Sequence, residues 1–346
     1  MSHIDYATSM ARRIMSALSE PFYVSEQELF IAPTTGISVY PSDGEDVESL
    51  VKHAGVALTH AKKGGRDTYK FYSAKINARS TERLNLENQL FRALDRDELV
   101  LHYQPKVDLV SGKIVGSEAL LRWDHPERGI VSPDSFIPIA EETGLIVPIG
   151  EWVLHAACNE TAELQRQVNP DLRVAVNVSS WQLRKKRLTP SVREALASSG
   201  LDGASLTLEL TESILMEDPS GSGEDFREVK LLGPKLSIDD FGTGYSSLSY
   251  LKRLPLDELK VDRSFISGVP NNEDDKAIVA AIVAMAHSLE LSVVAEGVED
   301  ENQLDYLRML GCNEYQGFFL SRPVPAAQFR ILIAADQDEV VESITI

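Results

Sequence analysis

With two cysteines in 346 residues, Cys158 and Cys312, far apart and in no CxxC spacing, the chain lacks the material for a disulfide framework or a thiolate zinc site. A reducing, cytoplasmic setting is the default. The seven histidines fall in no HxH or HExxH spacing, which leaves zinc-hydrolase chemistry unsupported. No apolar run approaches the roughly 20 residues that span a bilayer, and the opening MSHIDYATSMARR has no apolar signal-peptide core. The sequence reads as soluble, with no membrane segment. It is equally compatible with the cytoplasmic part of a larger signalling protein, since its first residues look like the middle of a helix. Positive charge is also scarce: 34 Lys and Arg stand against 53 Asp and Glu, a formal net charge of −19. Such a surface repels polyanions, which argues against polymeric nucleic acid and anionic membranes as non-specific partners. A phosphate-bearing ligand would have to be small and held by local cations.

What is present is an ordinary globular composition, 43% hydrophobic and 25% charged, over enough residues for two domains or one large barrel with an appendage. Residues 1–75 read as a small α/β unit: a helical start, a hairpin in PFYVSEQELFIAPTTGISVYP turning at Glu26 and Gln27, and a helix from Asp46 to about Lys63. From Ser80 to about Arg96 the spacing of Leu84, Leu90, Phe91 and Leu94 predicts a connecting helix. After Glu98 eight strand-like runs alternate with helical segments: LVLHYQPKV, VGSEALLRW, RVAVNVSS, LTLELTES, KLSIDDF, ELKVDRSF, LSVVAEGVE and YQGFFLSRP. Strand then helix, repeated over about 250 residues, is the order of a (β/α)8 TIM-like barrel, whose sites lie at the C-terminal ends of its strands. An open doubly wound sheet is disfavoured, because no G-x-G-x-x-G follows the first strand.

Nearly every one of these runs ends in a polar group: Gln104, Glu118, Asn177, Glu209, Asp239, Lys260, Glu296 and Gln316. A single acid at a strand end is commonly a helix cap or a solvated loop residue. Several converging on one barrel mouth would repel each other unless a cation neutralised them, and oxygen-only donors suit Mg²⁺ or Mn²⁺. The pair Asp239 and Asp240 in KLSIDDFGTG poses a geometric problem, since neighbours on a strand point to opposite faces. They can serve one centre only if the chain turns there, and the FGTG that follows would supply the turn. One carboxylate could then bridge two ions. The motif also reads as a plain helix entry, with an Asp near the cap and glycines in the turn.

Together these motifs resemble the EAL-domain family of cyclic di-GMP phosphodiesterases. The signature stands at Glu118, Ala119 and Leu120, with Arg122 extending it, and HYQPKVDL, PDSFIPIAEETGLI, VNVSS, ELTES, DDFGTGYSSL, LKVDRSFI, AEGVE and YQGFFLSRP follow the family order over about residues 84–333. The resemblance implies metal-dependent hydrolysis of cyclic di-GMP to linear pGpG by metal-activated water, with two Mg²⁺ or Mn²⁺ ions and no turnover in Ca²⁺. It implies Glu118, Asn177, Glu209, Asp239 and Asp240 as metal ligands, Glu296 as general base and Lys260 as the contact to the attacking water. Glu212 would prop the loop after Asp240, Glu299 would support it, and Gln104, Leu120, Arg122, Asp240 and Gln316 would hold the dinucleotide. A homodimer through the barrel domain is also implied. The rival in another class is a non-catalytic cyclic di-GMP receptor using the same pocket; hydrolysis of some other phosphodiester is a third reading.

Residues 1–75 resemble the C-terminal half of a GGDEF diguanylate cyclase domain, without the half that carries its signature. Gly55 stands where Asp is usual and Thr59 where Tyr is usual, so no cyclase activity is expected. The domain expectation is a degenerate GGDEF segment at 1–75, a connecting helix at 76–97, the barrel at 98–335 and a tail at 336–346. One departure lies inside the barrel: Ser220 to Gly223 are poor helix formers and Pro234 removes a donor just before the Asp239 strand.

Overall fold

The computed structural model describes residues 3–344 apart from 20–21, 25–26, 30–31, 64–67, 213, 215–221, 243–250 and 252–253. It divides into two compact units, Met1–Gln89 and Leu90–Ile346.

In the first unit, the helix Val47–Lys63 links two parallel strands, Thr34–Ile37 and Thr68–Phe71. The helix starts where expected, because the Asp46 carboxylate accepts the Ser49 backbone N–H at 2.8 Å. It lies so close on the sheet that a Cβ on Gly36 would sit 2.1 Å from the Ala54 carbonyl oxygen. The predicted hairpin pairs Phe22–Val24 with Gln27–Leu29, so Gln27 belongs to the strand; residues 25–26, in the turn, fall outside the described residues. The connecting helix runs Ala74–Leu90 and stops short of the predicted Arg96. Asp97, at φ 54°, and the Glu98 N–H to the Ala93 carbonyl close a turn there. Leu90 and Ala93 are buried, whereas Leu84 and Phe91 face solvent, so the apolar stripe is narrower than its spacing suggested.

The second unit is a closed barrel of eight strands: β1 Leu99–Asp108, β2 Ile114–His125, β3 Arg173–Asn177, β4 Leu206–Thr211, β5 Lys235–Phe241, β6 Glu258–Val261, β7 Ser292–Glu296 and β8 Glu314–Gln316. From β2 to β8 every neighbour is parallel, and β1 closes the ring antiparallel to both β2 and β8. Among the described residues the strand-helix repeat therefore fails at the first connection. Five residues join β1 to β2, too few for a crossover helix. Asp108 Oδ1 accepts both the Ser111 N–H and hydroxyl, and Gly112 takes φ 73°, so DLVSGK is hairpin chemistry.

Elsewhere the helices match the sequence signals. Leu188–Ser199 ends at Gly200, φ 72°, and Glu273–Ser288 starts on an Asn272 side chain that accepts the Asp274 N–H. The segment expected to resist helix formation is helical from Ser222 to Lys230, with Phe226 and Val229 buried; burial of that face overrides weak propensity at its start. No helix among the described residues is long and apolar enough to cross a membrane.

The rim after β8 is laced to the segment after β7. Gly317 lies against Val298, where an added Cβ would meet the carbonyl oxygen at 2.1 Å and the amide nitrogen at 2.3 Å. Gly317→Ala should therefore destabilise the barrel by about 1–3 kcal/mol. Denaturant unfolding checks this, and a wild-type midpoint would contradict the packing described.

Candidate metal centre

Alternation along the strands turns every second residue inward, and strand register brings the polar ones to a common level. Gln104 lies opposite Glu118 across β1 and β2, Asn177 opposite Glu209 across β3 and β4, and Glu296 opposite Gln316 across β7 and β8. At the centre is Lys260 on β6, fully buried. Its Nζ lies 2.7 Å from Glu296, 2.9 Å from Glu209, 3.1 Å from Asp239 and 3.3 Å from Glu118. Asn177 Nδ2 donates to Glu118 Oε1 at 2.6 Å, and Gln316 Nε2 donates to Glu118 Oε2 at 2.5 Å and to Gln104 Oε1 at 3.1 Å. Gln316 thus holds Glu118 directly, and Gln104 is tied to Gln316.

The two aspartates do reach the same side, by a device the sequence reading placed one step late. The β5–β6 register shifts between Ile238 and Phe241, and Asp240 adopts φ 55°, a left-handed conformation that Asp tolerates. The turn thus begins at Asp240 itself, before the glycines. Asp240 N–H donates to Asp239 Oδ1 at 2.9 Å. Gly242, at φ 99°, gives its N–H to Glu212 Oε2 at 3.1 Å; residues 243–250 of the motif lie outside the described residues. Glu299 is exposed and stands apart from the acidic cluster, with its backbone N–H on Gln303 Oε1.

Two trios of carboxylates result, Glu118 with Glu209 and Asp239, and Asp239 with Asp240 and Glu296. Within each, one oxygen per residue lies within 4.8 Å of the others, and Asp239 belongs to both. Hard oxygen donors grouped this way fit divalent cations. Beside them opens a cavity of about 510 Å³ lined by Leu120, Arg122, Asn177 and Asp240, with Asp134, Glu141 and Ile149 on its far wall.

The crowding shows in the acidities. Burial, then Glu209, raises Glu118; burial, then Glu209 and Asp240, raises Asp239 against the pull of Lys260. Burial, then Asp262, raises Asp240. Glu296 is pushed up to about 8 by burial, with Asp239 and Glu118 adding to it and Lys260 opposing. Glu209 goes the other way: burial alone would raise it, but Lys106 and Lys260 hold it at about 2.

Lys106 and its second partner, Glu258, are the residues that sequence reasoning passed over. Lys106 Nζ lies 2.7 Å from Glu209 Oε1 and 3.4 Å from Glu258 Oε1, and all three are buried. A signal was available, since LVLHYQPKVD alternates apolar residues with His102, Gln104 and Lys106, which sets the lysine on the same face as Gln104.

Because Glu296 is pushed up to about 8 even with the Lys260 ammonium 2.7 Å away, most of it is protonated at pH 7, and a bound divalent cation would favour the ionised form. Adding Mg²⁺ or Mn²⁺ at pH 7 should release about one proton per chain, and cation affinity should rise from pH 6 to pH 8. An indicator dye in weak buffer reads this; binding without proton release would contradict the electrostatics.

Residues 87–323 match the EAL domain family, and residues 2–68 match the diguanylate cyclase GGDEF domain family. Over 328 residues the chain is 46% identical to the bifunctional diguanylate cyclase/cyclic di-GMP phosphodiesterase MucR of Pseudomonas aeruginosa, covering 95% of this chain and 48% of that protein. It is 44% identical to the cyclic di-GMP phosphodiesterase NbdA of the same organism, covering 94% of this chain and 42% of that protein. The chain thus spans under half the length of these curated relatives. Among solved structures, a PaMucR phosphodiesterase in complex with c-di-GMP superposes with a TM-score of 0.68 at 51% identity, covering 71% of this chain and 99% of that one. The EAL enzyme Bd1971 in its cAMP and cyclic-di-GMP bound form gives 0.71 at 32% identity, covering 84% and 77%.

Proposed function

Since the chain belongs to the EAL-domain family, with a GGDEF-family segment ahead of the barrel, we propose that it hydrolyses cyclic di-GMP to linear pGpG using two Mg²⁺ or Mn²⁺ ions. The observation that carries this is the pair of carboxylate trios sharing Asp239 around a buried lysine. In this reading Glu118, Asn177, Glu209, Asp239 and Asp240 hold the cations. When bound, the ions supply Lewis acidity, lowering the pKa of a coordinated water and offsetting charge on the phosphorus oxygens. The chain's own groups do the rest. Glu296, with its acidity tuned close to neutral pH, accepts the proton of the attacking water. Lys260 fixes Glu296, Glu209 and Asp239 relative to one another and, in this reading, contacts the attacking water. Arg122, on the cavity wall, offers a bidentate fork for a phosphate that the net charge of −19 would otherwise repel. Glu212 steadies the turn after Asp240 through Gly242. Leu120, Gln104 and Gln316 complete the dinucleotide site, the two glutamines bonded to each other and Gln316 to Glu118, with Glu299 a more distant support.

We assign residues 98–335 to the catalytic barrel, 1–75 to a degenerate GGDEF segment that cyclises no GTP, 76–97 to the connection and 336–346 to a tail. A cytoplasmic setting and a homodimer through the barrel belong to the same reading.

Incubating the purified chain with cyclic di-GMP and separating the nucleotides tests the proposal. Mg²⁺ or Mn²⁺ should yield pGpG and Ca²⁺ should not, because the compact octahedral geometry suits the smaller ions. Glu296→Gln should lower turnover by a factor on the order of 10² to 10⁴ while retaining substrate. Binding with no pGpG in any of these ions would leave the receptor reading in its place.

The paired aspartates separate a metal role from a capping one. Asn caps a helix about as well as Asp, so a capping role predicts near-normal Asp239→Asn and Asp240→Asn variants. With Asp239 shared between two cation sites, both variants should stay folded and lose activity, and Asp239→Asn should need more Mg²⁺ for its residual turnover. Wild-type rates in both at ordinary Mg²⁺ would sink the two-cation reading.

A further inference from the structure

Lys106 lies one layer below the acidic cluster. It comes from β1, the strand that runs against the others, and its register partner on β2 is Gly116. Gly116 lies so close to β3 that an added Cβ would sit 2.7 Å from the Arg173 carbonyl oxygen. The ammonium is 5% exposed and reaches Glu209 Oε1 at 2.7 Å, while Lys260 takes Oε2 of the same carboxylate at 2.9 Å. Behind Lys106, Glu258, 2% exposed, approaches at 3.4 Å. Glu209 is therefore clamped between two buried ammonium groups, one at the level of the cluster and one beneath it.

Lys106 and Glu258 sum to zero charge, so as a pair they alter the field at the cluster little. What they supply is direction. We infer that Lys106 is a positioning residue for the cation site: braced by Glu258, it holds Glu209 Oε1 from below the cluster and so fixes the orientation in which this carboxylate faces the site. The inference rests on the two-cation reading above. Groups that orient a metal ligand typically contribute a factor of about 10–100 in metal affinity.

The test is a titration of the purified full chain with Mn²⁺, reading free Mn²⁺ by electron paramagnetic resonance, alongside thermal unfolding. Lys106→Met alone leaves Glu258 buried without its cation and risks misfolding. The double variant Lys106→Met with Glu258→Leu removes both charges, keeps the inward charge balance and fills similar volume. It should unfold at or above the wild-type temperature yet bind Mn²⁺ about tenfold or more weakly. In turnover, the loss should appear as a higher Mn²⁺ requirement more than as a lower rate at saturating Mn²⁺. A folded double variant with wild-type Mn²⁺ affinity would overturn this inference alone. A wild-type chain that binds no Mn²⁺ would overturn the two-cation reading and the inference with it.

Discussion

One ammonium group, Nζ of Lys260, sits in the barrel core within 3.3 Å of four carboxylates. At such distances and an effective dielectric of about 20, each attraction is about 5 kcal/mol. Removing each ion from water costs several kcal/mol in return. One lysine cannot balance four acids. The excess negative charge must be met by protons or by a bound metal, and Glu296, pushed up to about 8, is one place for a proton. Lys106 holds Glu209 from below but carries its own buried counter-charge in Glu258. Hard oxygen donors crowded in this way fit a divalent cation.

The barrel exists to bring these groups together. Glu118, Glu209, Asp239, Lys260 and Glu296 come from five strands spread over about half the chain, and only closure of the ring sets them within a few ångströms. Closure depends on β1 running backward, since it is β1 that pairs with both β2 and β8. The same reversal carries Gln104 to the level of Glu118 and Lys106 one layer deeper.

Much of this was legible in the sequence. All eight barrel strands were legible, most of them as short runs rich in apolar residues, although of YQGFFLSRP only Tyr315 and Gln316 lie in a strand. The acids at their ends stood out because charge in such a place needs a reason. Other features were hidden for physical causes. The reversal of β1 rests on five residues of hairpin chemistry that a search for helices between strands passes over. The helix from Ser222 forms because Phe226 and Val229 are buried, information that local propensity does not hold. Lys106 escaped notice because it does not sit at a strand end, and its role appears only when β1 and β4 face each other across the barrel.

Asp239 and Asp240 show the limit most clearly. A strand that kept its pleat would send one of them outward, and glycines placed after the pair cannot undo that for the pair itself. The register shift between Ile238 and Phe241, with Asp240 at φ 55°, turns the chain inside the motif. Asp is among the few residues other than glycine that accept this conformation at low cost. The second aspartate therefore both permits the turn and brings its carboxylate within 4.8 Å of those of Asp239 and Glu296. Two demands meeting on one side chain explain why two negative charges stand together where an apolar strand ends.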